Sequence, residues 1–120
     1  MLRKIDCVML RVPDPAEAAT YYERVLGLHR LWADDHSVGL GLPETDAEIV
    51  LHTDPAIPTG AIYYLVDDVE SACAHLTTQG CTIRQPPLPI TIGSCAVLED
   101  PFTNPLRLID LTRGPRQPAA

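Results

Sequence analysis

No stretch of this 120-residue sequence is apolar for the roughly 20 residues that a bilayer crossing needs, and no basic-then-apolar leader opens it. Basic side chains are also scarce. Nine Lys and Arg against sixteen Asp and Glu leave a formal charge of -7, so nucleic acid and anionic membrane surfaces are repelled rather than drawn in. Of the cysteines, Cys7, Cys73, Cys81 and Cys95, none has the short paired spacing of a zinc knuckle. Each lies in an apolar strand or helix stripe, where a free thiol behaves as a small hydrophobe. These absences lead us to expect a cytoplasmic protein with neither nucleic acid nor a membrane as partner. A hydrophobic content of 46% suffices for one packed core, and the length leaves room for one domain of ordinary size.

What the sequence does hold is a strand, a turn and a capped helix in quick succession. Residues 5–12 are apolar at nearly every second position, with β-branched Ile5, Val8 and Val12, which predicts a strand. Pro13 ends it. Asp14 stands where a helix needs an N-cap, Pro15 at the first helical position, and Glu17 where it completes a capping box. Ala18, Tyr22, Val25 and Leu26 then make one apolar stripe, and Gly27 supplies a left-handed stop. The same grammar returns over residues 62–80, aligning Val12 with Val66 and Asp14 with Asp68. There Asp67 or Asp68 caps the helix, Val69, Cys73 and Leu76 form the stripe, and Gly80 closes it. An internal repeat follows.

After each helix come three short strands, at 29–32, 37–42 and 48–52 in the first half and at 81–85, 94–99 and 106–111 in the second. Pro86-Pro87-Leu88-Pro89 reads as an irregular or edge-like excursion. The expected architecture is α+β: one domain over 1–112 built from two βαβββ modules in tandem, module one at 1–54, a Pro- and Gly-containing linker at 55–60, and module two at 61–112. Residues 113–120 read as a loose tail.

Together the first unit, the helix ending Tyr21-Tyr22-Glu23-Arg24-Val25-Leu26-Gly27-Leu28, the opening Val66-Asp67-Asp68-Val69 of the second helix, and the turn Asp100-Pro101-Phe102-Thr103-Asn104-Pro105 resemble the vicinal oxygen chelate superfamily. That superfamily includes glyoxalase I, extradiol dioxygenases and bleomycin-resistance proteins. The resemblance covers nearly the whole chain. It implies a curved mixed sheet around a cleft, helices on the outer face, and commonly a homodimer. In the family's enzymes four metal ligands lie on the cleft floor. Carried over position by position, the first falls on Cys7, the second on Val50 or Glu48, the third on Ala61 and the fourth on Arg107. Alanine offers no donor, and a cationic guanidinium offers no lone pair. Thr103 replaces the glycine usual in the turn before the last strand.

Strand parity selects candidate cleft residues: if Cys7 points inward, so do Met9 and Arg11; likewise Glu48, Val50 and His52; Tyr63 and Leu65; and Arg107, Ile109 and Leu111. Cys7, Glu48 and His52 are chemically competent as a residual zinc or copper set, but the favoured expectation is no metal and no cofactor. Arg107 has two readings: an ion pair with Glu48 in place of the lost metal, or, with Arg11, a bidentate grip on a ligand carboxylate or phosphate. Trp32 and Tyr63 are candidates to stack on a planar ligand, against a Trp32 that fills core or dimer interface. His29, His36 and His75 receive no role. The expected ligand contacts are thus Cys7, Met9, Arg11, Trp32, Glu48, Val50, His52, Tyr63, Arg107 and Ile109. The functional expectation is a metal-free protein that sequesters a drug or natural product in a dimeric cleft. Its rival is a lyase, isomerase or dioxygenase of the same fold with an atypical or absent metal site.

Overall fold

In a computed structural model, which describes residues 1–114, the chain divides into two compact units. Among the described residues, one is Asp6–Ala61 and the other is Met1–Ile5 with residues 62–114. Each carries one helix and a four-stranded mixed sheet, the α+β arrangement of tandem βαβββ modules. The opening five residues join the second unit, where the Arg3 N–H donates to the Leu65 carbonyl at 2.8 Å.

In the first unit, strand β1 (Lys4–Arg11) leads into helix α1 (Pro15–Leu26), followed by β2 (His29–Ala33), β3 (Ser37–Leu42) and β4 (Thr45–His52). The sheet order is β2-β3-β4-β1, with β1 and β4 parallel and the other pairs antiparallel. The helix begins and ends where the sequence demands. Asp14 Oδ1 accepts from the Ala16 and Glu17 N–H groups, and Gly27 turns left-handed at φ 76°. The buried stripe is shorter than expected: Ala19, Ala18 and Tyr22 pack with Val38, Leu40 and Leu51, while Val25 and Leu26 are exposed. The last helical turn overhangs the sheet. Strand β4 starts at Thr45, three residues earlier than expected, because the turn needs only Pro43 and Glu44. The 55–60 segment is tied down along β1: Gly60 N–H donates to the Met9 carbonyl at 2.8 Å and Arg11 N–H to Thr59 Oγ1 at 3.1 Å.

The second unit repeats the plan with β5 (Ala61–Leu65), α2 (Val69–Thr78), β6 (Thr82–Ile90), β7 (Gly93–Glu99) and β8 (Pro105–Ile109), in sheet order β5-β8-β7-β6. Here β5 and β8 are the parallel pair. Asp68 caps α2 by accepting from Ser71 N–H at 2.9 Å. At the other end, Gly80 (φ 103°) lets Cys81 N–H return to the Leu76 carbonyl and Gly80 N–H to Thr77. Val69, Ala72 and Cys73 bury against Ala96, Leu98 and Leu108. The proline-rich excursion belongs to β6 itself. That strand lies at the sheet edge, where a missing N–H is tolerated, and its register slips twice, between Ile83 and Gln85 and between Gln85 and Leu88. Strand β8 stops at Ile109, leaving Leu111 outside the sheet and exposed. Of the expected loose tail, Arg113 N–H bonds to the Ile92 carbonyl and Gly114 N–H to Leu111; 115–120 lie outside the described residues.

One buried carboxylate holds this unit's ends together. Asp110 is 2% exposed and accepts from Val69 N–H at the start of α2, Ser94 N–H in β7, and both the N–H and hydroxyl of Thr112. Gly93 is required beside it, since a Cβ there would lie 2.2 Å from Asp110 Oδ1. Burial alone would raise the Asp110 pKa; the bonds from Val69, Thr112 and Ser94 outweigh it and hold the group below the ordinary aspartate value.

Candidate functional site

Each helix covers one face of its unit's sheet, and the sequence-predicted site residues lie on the other. In the first unit the parallel register sets Cys7 level with Glu48, Met9 with Val50 and Arg11 with His52. The antiparallel neighbour adds Gly41, Gly39 and Ser37 beside Glu48, Val50 and His52 respectively. All share one face, because Val38, Leu40, Ile49 and Leu51 point the other way, toward α1.

The two glycines of β3 let rings from β2 lie flat across the strand. A Cβ on Gly39 would fall 2.0 Å from Trp32 Nε1, and one on Gly41 would fall 2.6 Å from His29 Nε2. The Trp32 indole therefore crosses Gly39, and its N–H donates to Glu48 Oε1 at 2.6 Å. A bulge makes this possible. Arg30 pairs with Leu40 but Trp32 with Gly39, so Leu31 is the extra residue and Trp32 takes the face that regular alternation would have assigned to Leu31. Arg30 stays on the α1 side, paired with Glu23 at 2.6 Å.

At the far end of this face His52 is 3% exposed. Its Nδ1 accepts from Asp54 N–H at 3.0 Å, which places the ring proton on Nε2, and that buried Nε2 has no hydrogen-bond partner among the described residues. Burial pushes the His52 pKa down, Asp54 partly restores it and Arg11 lowers it again; the net shift is below the ordinary value of 6.5, and the ring is neutral at neutral pH. Arg11 itself is exposed and donates from Nη1 to the Pro55 carbonyl at 2.9 Å.

In the second unit the helix-free face carries Tyr63 level with Arg107, and Leu65 level with Ile109. Val97 and Cys95 extend these two rows on β7. Arg107 is half-buried and makes no hydrogen bond or ion pair among the described residues. A separate groove of about 450 Å³ at the start of α2, beside Arg3, Asp67, Asp68 and His75, contains none of the sequence-predicted site residues.

The positions that the resemblance assigns to a metal do not fit one. Of the two options for the second ligand, the register selects Glu48, level with Cys7. Its carboxylate holds the indole N–H, and Cys7 Sγ lies against Met9 Sδ at 3.7 Å. Ala61 contributes nothing and Arg107 is a cation. His52 does not complete a set with Cys7 and Glu48: four residues along a strand put it about 13 Å from Glu48. No group of three or more His, Cys, Asp or Glu side chains suited to a metal occurs among the described residues. Nor is any helix among them long and apolar enough to cross a membrane.

Sequence reasoning missed three of these features: the His29 ring on Gly41, the Trp32 bulge, and the Asp110 hub. The signal for the first two was present in Val38-Gly39-Leu40-Gly41-Leu42, where glycines at alternate positions leave one face of a strand bare for rings from its neighbour.

Comparison with known proteins bears on the fold. No curated protein matches the chain. Among solved structures, a Streptomyces coelicolor methylmalonyl-CoA epimerase variant in complex with 2-nitronate-propionyl-CoA superposes with a TM-score of 0.74 at 15% identity, covering 93% of this chain and 99% of that one. The epimerase from Mycobacterium tuberculosis gives 0.69 at 20% identity, covering 91% and 88%. A Legionella pneumophila structure described as an NAD-dependent benzaldehyde dehydrogenase gives 0.69 at 20%, covering 88% and 98%. At these identities the likeness speaks for the fold alone. The family model of the Glyoxalase/Bleomycin resistance protein/Dioxygenase superfamily matches residues 4–108. That span takes in both βαβββ modules, and the chain belongs to this superfamily, the vicinal oxygen chelate proteins.

Proposed function

We propose that this chain binds a small organic molecule, a drug or natural product, on the helix-free face of its first unit, without a metal and without transforming it, after the manner of the bleomycin-resistance members of its superfamily. The observation that carries the reading is His52. A buried donor without a partner costs about 1–3 kcal/mol, and a fold that keeps one has a use for it when something is bound. The Asp54 N–H fixes the tautomer, so Nε2–H is always the donor and seeks an acceptor. Beside it the partly exposed Met9 offers apolar surface, and the Trp32 indole, held by Gly39 and Glu48, offers a plate for a planar ring. Sequestration also fits the engagement of the carboxylate on this face: Glu48 holds the Trp32 indole N–H, His29 lies over Gly41 at the level of Glu48, and His52 stands about 13 Å along the strand. We further propose a homodimer as the working form, supported by the superfamily resemblance.

Native mass spectrometry of the protein purified from its own organism and desalted gently tests the reading. The expected spectrum shows the polypeptide carrying an organic mass, which is lost or reduced about tenfold in occupancy in His52→Phe, as one hydrogen bond's worth of affinity implies. A single metal-sized increment in place of an organic mass overturns it.

A further inference from the structure

We propose that Arg107 is an anion-binding position on the second unit, built for the carboxylate or phosphate of an organic molecule. The inference goes beyond the binding site on the first unit. Two exposed arginines of the second unit set Arg107 in contrast. Arg3 and Arg84, both more than half exposed, are paired, with Asp67 at 3.1 Å and Glu99 at 2.8 Å. Arg107, half-buried, has no hydrogen-bond or ion-pair partner among the described residues. Exposed pairs are nearly indifferent to being made, whereas a guanidinium withdrawn from water needs an acceptor.

The surroundings indicate what kind of acceptor. On the helix-free face Arg107 stands in register between Tyr63 on β5 and Val97 on β7, with Ile109 and Leu65 in the adjoining row. These neighbours bring no carboxylate to neutralise the fork. Tyr63 and Val97, both partly exposed, present aromatic and aliphatic surface, which inorganic anions cannot use and an organic anion can; Leu65 and Ile109 are buried. A guanidinium donates in a planar fork that matches the two oxygens of a carboxylate or phosphate, so the grip is bidentate and an ammonium is a poor substitute.

The test uses the full chain, labelled with nitrogen-15, and follows the Arg107 Nε–H resonance during titration with benzoate, phenyl phosphate, benzamide and inorganic phosphate. The expected result is a saturable shift with benzoate or phenyl phosphate, whichever oxyanion fits, no saturable shift with benzamide, and weaker binding of inorganic phosphate than of phenyl phosphate. Arg107→Gln should weaken the organic anion at least tenfold, and Arg107→Lys, which keeps the charge and protects against a folding artefact, several-fold. The proposal is overturned if neither organic anion moves the resonance saturably, if benzamide moves it equally, if inorganic phosphate binds as tightly as phenyl phosphate, or if both variants bind like wild type. Failure here is separable from failure of the first-unit reading: His52→Phe should leave the Arg107 titration unchanged, and Arg107→Gln should leave Trp32 and His52 undisturbed.

Discussion

The indole N–H of Trp32 donates to Oε1 of Glu48 at 2.6 Å, across a strand whose intervening residue, Gly39, has no side chain to stand in the way. Trp32 is thereby a fixed plate, and a carboxylate at a position that resemblance assigns to a metal is spent on holding it. Gly39→Ala should displace the ring, because the added methyl would fall 2.0 Å from Nε1. The expected cost is about 1–3 kcal/mol in urea unfolding, together with a shift of the fluorescence of this single tryptophan toward that of a solvated indole. An unchanged emission spectrum would mean that the ring does not lie over Gly39.

His52 should impose a pH dependence on stability. Its pKa in the folded chain is depressed below 6.5, chiefly by burial, so between the folded value and 6.5 the unfolded chain binds the extra proton. The stabilisation is complete above about pH 6.5 and is lost as pH falls through the depressed value. Thermal midpoints measured from pH 8 down to pH 5 should drop less steeply in His52→Phe than in wild type. Parallel curves would remove His52 as the titrating group.

How much of this was legible varied with how local the cause was. Helix α1 is bounded by Asp14, Pro15 and Gly27, three residues that act within one turn, and its limits were readable to the residue. Exposure of Val25 and Leu26 depends on where the sheet ends beneath the helix, which no local pattern encodes. Trp32 changed faces through a bulge at Leu31, and a one-residue slip inverts every parity assignment. The run Pro86 to Pro89 read as irregular or edge-like because proline cannot donate, and it lies within edge strand β6, which asks for no donor on its outer side. Parity within β1 and β4 foresaw that Cys7 and Glu48 share a face, but the solitary Nε2 of His52 depends on its being buried, with Asp54 N–H fixing its tautomer, and was visible only in three dimensions.

Asp110 gathers bonds from α2, β7 and the residue after next, so Asp110→Asn should cost on the order of 3 kcal/mol at neutral pH through loss of charge-assisted hydrogen bonds. Its folded pKa lies below 3.8, so the stability it contributes is present above about pH 3.8 and disappears as pH falls through the folded value. Urea titrations should therefore show wild type and variant converging in acid. A difference that persists unchanged at low pH would assign the effect to shape rather than charge.

Thr103 occupies a left-handed backbone position at φ 71°, in a turn organised by Asp100, which accepts from Phe102 and Asn104 N–H groups at 2.8 and 2.9 Å. An L-residue there is strained, and Thr103→Gly should stabilise the chain by roughly 0.5–1 kcal/mol after the added freedom of the unfolded glycine is deducted. Loss of stability in thermal or urea unfolding would show that the Thr103 side chain contributes more than its backbone costs.

The central claim is that this chain binds its ligand without a metal, because Ala61, Arg107 and an indole-bound Glu48 stand where ligands would be needed. Elemental analysis of the desalted wild-type protein, alongside Cys7→Ser and Glu48→Gln, measures this directly. The account predicts divalent metal well below one equivalent per chain and no difference among the three proteins; near-stoichiometric zinc, nickel, manganese or iron that survives desalting and is lost in either variant would contradict it.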